Sequence, residues 1–366
     1  MWENRELKAA FAVMASVAGV GFASGREIVL FFAQLGWAAW PGMLTASALF
    51  ALLMRLVMGA ALRTGASDLT GAFTRITGVR RAGAVSLLYG VLMAFAAVIM
   101  LRTCGELGAL TLPVQGGYLK GVLLALLLAT AVCAGRRQIL PVLGAAAVIT
   151  ALLFYGGLML DARPVRVNMR CETVLNLSGS LWAAAIFGLL HACLNASVAA
   201  GTAAAFSGGR FDPGKASAMT GGMMLACLMC AHGAMIRGGE TIYAQSLPTV
   251  LLAARWGVRG FWLSAGYMYF ASVCTLAASM STLVSRMGEG QRCGKVRNAV
   301  VWAAILLICL RLSDAALGCI YPLMGWICAF FLIVPAFVQG DVNPDGSAWM
   351  KGIHPLKKMT EIDVKF

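Results

Sequence analysis

Charged residues are scarce in this chain. Aspartate, glutamate, lysine and arginine make up 12% of its 366 residues, whereas a typical soluble domain has about a quarter. Hydrophobic residues make up 60%, and the mean hydropathy is +0.82. A soluble core could not bury this much apolar surface, so part of the surface must face lipid. The composition therefore predicts an integral membrane protein in a lipid bilayer.

The sequence lacks features that several classes of protein need. The net charge is +14, but no basic stripe with interleaved aromatic residues is present, which argues against nucleic-acid binding. Cys227 and Cys230 lie near His232 without a second ligand pair, so we interpret them as packing residues and predict no metal centre. No short apolar region with an A-x-A site begins the chain, and we expect no cleaved signal peptide.

Ten apolar segments are long enough to cross a bilayer, which takes about 20 helical residues. They lie at 8–35, 38–62, 82–110, 117–135, 139–160, 180–206, 215–237, 259–286, 297–313 and 316–338. These segments predict an all-α membrane protein with one transmembrane domain over residues 1–338. The polar remainder, 339–366, is predicted to be a cytoplasmic tail.

Lysines and arginines determine the predicted orientation. They are more numerous in the loops on the side of the two termini than in the loops on the other side, and basic loops stay in the cytoplasm. We therefore predict a multi-pass protein of the plasma (inner) membrane with both termini in the cytoplasm. The arginines of loop 161–172 are an exception that this rule does not explain.

The ten segments divide into two sets of five, about 8–160 and 180–338. An odd number of spans gives the two halves opposite orientations, and broken helices at matching positions of inverted halves mark transporter binding sites. The first and sixth segments are the candidates for such breaks. Glycines and polar residues interrupt both segments: Gly19, Gly21 and Gly25 in the first, and Gly188, His191, Asn195, Ser197 and Gly201 in the sixth.

The stretch GVGFASGREI, residues 19–28, combines three glycines with charge inside an apolar segment. Each glycine costs a helix about 1 kcal/mol relative to alanine, so unwinding is cheap here. Unwound backbone at membrane depth must line a cavity or be covered by protein. Glu27 beside the glycines favours a wet cavity. The alternative is that Gly21 and Gly25 form a G-x-x-x-G contact between helices.

Polar side chains also recur at helical spacing in other segments. His191 and Asn195 lie four residues apart and are predicted to point into the bundle, although both could simply hydrogen-bond to neighbouring helices. Arg102 and Glu106, also four apart, predict a structural or gating ion pair. In the eighth segment, polar side chains form a stripe along one helical face. The hydroxyl groups in this stripe either face a partner helix or hydrogen-bond back to their own helix. The members of the stripe are Ser272, Thr275, Ser279, Thr282 and Arg286.

The GVGFASGREI stretch resembles the first helix of the YkvI-like bacterial membrane proteins, whose pattern is approximately G-A-G-F-A-S-G-Q-E-I. HACLNASVAAG lies where that family has its sixth helix, CTLAASMSTLVSRM resembles its eighth, and IYPLMGW resembles a stretch of its tenth. The family is similar to the amino acid–polyamine–organocation transporters. The resemblance thus implies a LeuT-type 5+5 inverted repeat with discontinuous helices 1 and 6.

The resemblance also implies a function and a site. The chain is expected to be a secondary active transporter of a small amino acid or organic amine, coupled to sodium or to protons, with no other cofactor. The expected substrate site consists of Gly19, Gly21, Phe22, Ala23, Ser24, Gly25, His191 and Asn195. The expected ion-coupling residues are Gly19, Glu27, Thr275 and Ser279, where hydroxyls of the eighth helix would face carbonyls of the first and hold a sodium ion.

Two alternatives to a transporter stay open at this point. A membrane sensor or structural protein could keep the fold without moving a substrate. An intramembrane serine protease would use Ser24 with a histidine base, but the glycine spacing departs from G-x-S-x-G. We therefore expect no enzyme activity.

Overall fold

A computed structural model describes the first eight of the ten predicted spans. The residues that it describes are 4–65, 69–112, 115–134, 138–161, 180–207, 211–239, 242–243 and 247–286, with single positions at 303, 305, 306, 308, 323 and 325–327. All regular elements in these ranges are helices. The two last predicted spans, apart from those single positions, and the tail lie outside the described residues.

Twelve α-helices follow one another in the described part of the chain. They are α1 (Arg5–Val17), α2 (Val20–Ala23), α3 (Arg26–Phe31), α4 (Trp40–Thr64), α5 (Leu69–Thr77), α6 (Val79–Thr111), α7 (Gly117–Ala134), α8 (Ile139–Leu160), α9 (Leu181–Ala205), α10 (Pro213–Gly238), α11 (Pro248–Ala253) and α12 (Val258–Arg286). Two 3-10 segments, Ala33–Ala39 and Ala254–Trp256, join α3 to α4 and α11 to α12.

Six of these helices are long and apolar enough to cross a membrane, namely α4, α6, α8, α9, α10 and α12. A shorter apolar helix, α7, follows α6. These seven helices coincide with the second to eighth predicted spans to within about three residues at each end. Hydrophobic length was therefore sufficient to locate them.

The first span is discontinuous, as its glycines predict. Helix α1 ends at Val17, the short helix α2 follows, and α3 begins after Gly25. Gly25 has φ 79°, a left-handed conformation that favours glycine. The backbone thus turns twice within one membrane-spanning segment before α3 begins.

The sixth span differs from the prediction, because α9 runs from Leu181 to Ala205 without interruption. The predicted discontinuity of helix 6 is wrong. Its glycines serve close packing instead: a Cβ at Gly188 would overlap the carbonyl oxygen of Gly42 on α4. Two of its polar side chains bond back to the helix, since Asn195 donates to the His191 carbonyl and Ser197 to the Leu194 carbonyl.

Helix α1 lies at the centre of the described bundle, in contact with α8, α9, α10 and α12. Helix α4 packs along α9 and α10, and α6 packs against α7 and α12. The pairs α4–α10 and α6–α12 join helices at matching positions in the two halves predicted from the sequence. The break between α1 and α3 is therefore surrounded by helices and not by lipid.

Candidate functional site

At the break in the first span, a neighbouring tyrosine hydroxyl hydrogen-bonds to backbone carbonyls. The Tyr155 hydroxyl lies 2.6 Å from the Phe22 carbonyl oxygen and 2.9 Å from that of Ala23, and donates to one of them at a time. The Thr249 amide donates to the Ser24 carbonyl at 3.0 Å. Unwound backbone in a membrane needs such partners, so α8 and α11 hold the break in place.

Ser24 is a local turn residue in this arrangement. Its hydroxyl donates to the Gly21 carbonyl at 3.3 Å and accepts from the Arg26 amide at 3.2 Å. No histidine in the described part of the chain hydrogen-bonds to it. A serine nucleophile needs an adjacent base, and His191 and His232 bond elsewhere.

Because Gly21 has no side chain, a carboxylate can lie against it. A Cβ placed on Gly21 would overlap Oε1 of Glu27, which folds back from the first turn of α3 against the break. Gly21 itself lies within α2 and has no left-handed conformation. Glycine is thus needed at position 21 for close approach, whereas at position 25 it is needed for its backbone conformation.

Three buried polar side chains meet beside the break: Glu27, His191 and Asn195. Oε2 of Glu27 lies 3.6 Å from Nε2 of His191, and Nδ2 of Asn195 lies 3.3 Å from the same nitrogen. Oε2 of Glu27 and Nδ1 of His191 have no hydrogen-bond partner among the described residues. Buried polar atoms without partners are rare in folded proteins and invite a ligand or a proton.

A small cavity lies between α1, α3, α6, α9 and α12 at this point. Its volume is about 20 Å³, room for about one water molecule. The polar part of its wall consists of Ser16, Gly19, Glu27, Asn195 and Thr275. The apolar part consists of Val17, Ala96, Ile99, Met100, Leu194 and Val198.

The hydroxyl stripe of α12 divides into residues with different partners. The Thr275 hydroxyl reaches across to α1, 3.1 Å from the Ala15 carbonyl and 2.9 Å from the Ser16 carbonyl. Ser272 and Thr282 donate to carbonyls of α12 itself, and the buried Ser279 hydroxyl has no partner among the described residues. Thr275 thus contacts the first helix, and the side chain of Arg286 lies outside the described residues.

The other expected site residues lie at different places around the break. Gly19 and Asn195 line the cavity, and Phe22 lines a second, apolar cavity between α1, α8 and α10. Arg102 and Glu106 form an ion pair along α6, with Nε and Oε1 3.2 Å apart. Ser16 of α1 donates to Thr202 of α9 at 2.8 Å, which ties the first and sixth spans together.

Tyr155 and Thr249 are the residues at the break that sequence reasoning missed, and Trp256 packs beside Tyr155's neighbour Phe154. The Trp256 indole nitrogen donates to Oδ2 of Asp161 at 2.7 Å, and its ring packs edge-on against Phe154. Tyr155 also lies 3.1 Å from the Thr249 hydroxyl. A tyrosine in an apolar segment gives no signal of its own, because its partners come from helices distant in sequence.

Comparison with known proteins gives one sequence relative and a set of solved structures. The chain is 24% identical over 336 residues to the membrane protein YkvI of Bacillus subtilis (strain 168), an alignment that covers 88% of this chain and 93% of that protein. No family model matches the chain. The resemblance to the YkvI-like membrane proteins expected from the first helix is thereby confirmed over most of the chain.

The solved structures include crystal structures of a manganese transporter from Eremococcus coleocola. A mutant of that protein has a TM-score of 0.61 at 12% identity, covering 91% of this chain and 79% of the other. A complex with an aromatic bis-isothiourea substituted compound has a TM-score of 0.59 at 14% identity, covering 92% and 79%. The chain therefore has the LeuT-like fold of membrane transporters.

Proposed function

We propose that the chain is a secondary active transporter of a small amino acid or organic amine, coupled to a cation. The observation that carries this proposal is the buried Glu27 carboxylate at the break of the first span, whose Oε2 makes no hydrogen bond among the described residues. A carboxylate at membrane depth is costly unless a cation or a proton accompanies it.

An ammonium group fits the polar residues of the cavity wall. Glu27 supplies the opposite charge, and the Thr275 hydroxyl and the Gly19 backbone supply further polar groups. Ile99, Met100 and Leu194, which also line the cavity, favour a small apolar substituent. Because the cavity holds about one water molecule, a substrate enters only when the lining helices move apart, as alternating access requires.

A divalent metal is less well supported as the substrate. The fold neighbours are manganese transporters by name, but fold alone does not define a substrate. The described residues contain no group of three histidine, cysteine, aspartate or glutamate side chains that could hold a metal ion. Among the described residues that line the cavity, Glu27 is the one carboxylate, a charge that a single ammonium group balances.

Sodium stays a second candidate for the coupling cation. Thr275 and Ser279 supply hydroxyl oxygens, and Thr275 contacts carbonyls at the end of α1, the hard oxygen ligands that such a cation prefers. In this conformation the Thr275 hydroxyl itself donates to those carbonyls. A sodium ion would have to replace these hydrogen bonds.

Binding and flux together test the proposal. Purified protein is screened for thermal stabilisation by single amino acids and amines, because a ligand that binds the native state raises its stability. Compounds that stabilise the protein are then offered as radiolabelled substrates to proteoliposomes. Uptake above that of protein-free liposomes supports a transporter, whereas stabilisation without uptake would instead identify a sensor.

A further inference from the structure

We propose that Nε2 of His191 is a proton-binding site that switches between two partners, Glu27 when protonated and Asn195 when not. This inference rests on the proposed function, since it names the proton as the cation that the transporter couples to. It requires only the three side chains that meet beside the break of the first span. Their geometry makes the two states mutually exclusive.

The orientation of Asn195 is fixed by its backbone contact. Nδ2 lies 3.0 Å from the His191 carbonyl oxygen, and a carbonyl can only accept, so this atom must be the amide nitrogen. The second hydrogen on Nδ2 is available for Nε2 of His191, 3.3 Å away. That bond forms only if Nε2 carries no proton.

The opposite contact requires the opposite protonation state. Oε2 of Glu27 lies 3.6 Å from Nε2, and a carboxylate oxygen attracts this nitrogen only when the nitrogen carries a proton. Nε2 therefore cannot satisfy Asn195 and Glu27 together. When Nε2 binds a proton, its partner changes from the Asn195 amide to the Glu27 carboxylate. When the proton is released to water, the Asn195 amide becomes the partner again.

The surroundings suit a group that alternates between neutral and charged. The His191 ring is fully buried and meets Phe31 and Phe32 at centroid distances of 5.5 and 5.0 Å. Both contacts are edge-on, and an aromatic ring attracts a cation that lies over its face but also packs against a neutral ring. Burial excludes bulk water, so the occupancy of the site depends on these neighbours.

Two other titratable groups close to the break, Tyr155 and His232, have hydrogen-bond partners of their own. Tyr155 of α8 interacts with Glu27 but bonds to the carbonyls of the break. His232 of α10 bonds to the Gly36 carbonyl. Helices α1, α4, α6, α10 and α12 pack against α9 or α3. The remaining titratable or charged groups with described side chains on these helices, α3 and α9 are Arg5, Glu6, Lys8, Arg26, Arg55, Arg63, Arg80, Arg81, Tyr89, Arg102, Cys104, Glu106, Cys193, Lys215, Cys227, Cys230, Arg237, Arg259, Tyr267, Tyr269 and Cys274. Arg26 and Arg55 are exposed, and Arg102 pairs with Glu106.

The switch sets how proton and substrate are coupled. A protonated His191 and a substrate ammonium group both require the carboxylate of Glu27. An ammonium group that reaches Glu27 thus favours loss of the proton from Nε2 to water. Proton and substrate then exchange across the membrane, the proton leaving on the side that the substrate came from.

Nitrogen NMR of the imidazole tests the switch without any substrate. Full-length protein with 15N-labelled histidine is titrated in detergent, and His191→Gln assigns the signals among the three histidines. At high pH we expect the His191 proton on Nδ1, because Nε2 accepts from Asn195. Relative to the wild type, Glu27→Gln should move protonation to lower pH, because it removes the negative charge beside Nε2. Asn195→Leu should move protonation to higher pH and transfer the neutral-state proton to Nε2.

Opposite shifts in the two variants distinguish the switch from general loosening, and His232→Gln serves as a control that leaves His191 unchanged. A wild-type neutral ring with its proton on Nε2, or shifts of the same sign in both variants, would overturn the inference. If Asn195→Leu fails to fold, the wild-type tautomer at high pH decides alone. Failure of the uptake assay would contradict the proposed function, but the NMR result would still test the switch because it needs no substrate.

Discussion

The carboxylate of Glu27 occupies the space that a side chain at position 21 would need. The two residues are six positions apart, and the turn at Gly25 brings them together. The glycine in the short helix α2 and the acid at the start of α3 thus form one structural unit. A substitution at either position should act through the other.

Gly21→Ala should displace the Glu27 carboxylate and abolish substrate binding. Alanine is the better helix former by about 1 kcal/mol, so local propensity alone predicts a gain in stability. Gly222→Ala on α10 is the matched control, because a Cβ there meets nothing within 4 Å. Thermal stability and ligand binding are measured for both variants. A stable Gly21→Ala protein with unchanged ligand affinity would contradict the role assigned to Glu27.

Tyr155→Phe should leave the Phe22 and Ala23 carbonyls without their donor. An unsatisfied buried acceptor costs about 1–3 kcal/mol, and the break of the first span should loosen. Tyr267→Phe is the control, since the buried Tyr267 hydroxyl has no partner among the described residues and its ring lies 5.9 Å from that of Tyr155. Denaturant unfolding should show a clear loss for Tyr155→Phe alone. Equal losses in both variants would argue against a special role for Tyr155.

Thr275→Val separates a structural hydroxyl from a sodium ligand. The variant removes the hydrogen bond from α12 to the Ala15 and Ser16 carbonyls and should lower stability by about 1 kcal/mol. With protons as the coupling ion, the loss should be the same in sodium and in potassium buffer. If sodium stabilises the wild type, and a higher sodium concentration partly restores Thr275→Val, the sodium site of Thr275 and Ser279 is favoured instead.

An acidic vesicle interior should accelerate substrate uptake, because exchange at Glu27 sends a proton out as substrate enters. The same gradient reversed should slow uptake. His191→Gln should make any remaining uptake insensitive to both gradients. Uptake rates in proteoliposomes with imposed pH differences give the result, and a wild-type rate independent of both gradients would exclude this coupling.

The sequence predicted the membrane helices well, because hydrophobic length is a local property. It also located the break of the first span, since Gly19, Gly21 and Gly25 lie close together. It failed for the sixth span, where Gly188 and Gly201 are separated and serve helix contacts. Glycine content alone does not distinguish an unwound segment from a close helix crossing.

The candidate site was only partly predictable. His191 and Asn195 share a helical face, so their proximity followed from spacing, and Glu27 was singled out by its charge. The contact between Glu27 and His191 depends on how α3 turns back after Gly25, which no local pattern specifies. Tyr155 could not be predicted, because its role depends on the packing of α8 against the break.

The topology of the termini and the boundaries of the two repeats stay predictions, which reporter fusions in each loop would test.

Uptake by Glu27→Gln protein tests the central claim most directly. Proteoliposomes with wild type, Glu27→Gln or Glu106→Gln are compared for every amino acid or amine that the wild type transports. Glu106 is the matched control, because it carries the same substitution on α6, in an ion pair with Arg102 and outside the cavity wall. We predict uptake by the wild type and by Glu106→Gln, and at least a tenfold loss in Glu27→Gln, about 1.4 kcal/mol. Wild-type uptake in folded Glu27→Gln protein would contradict the account.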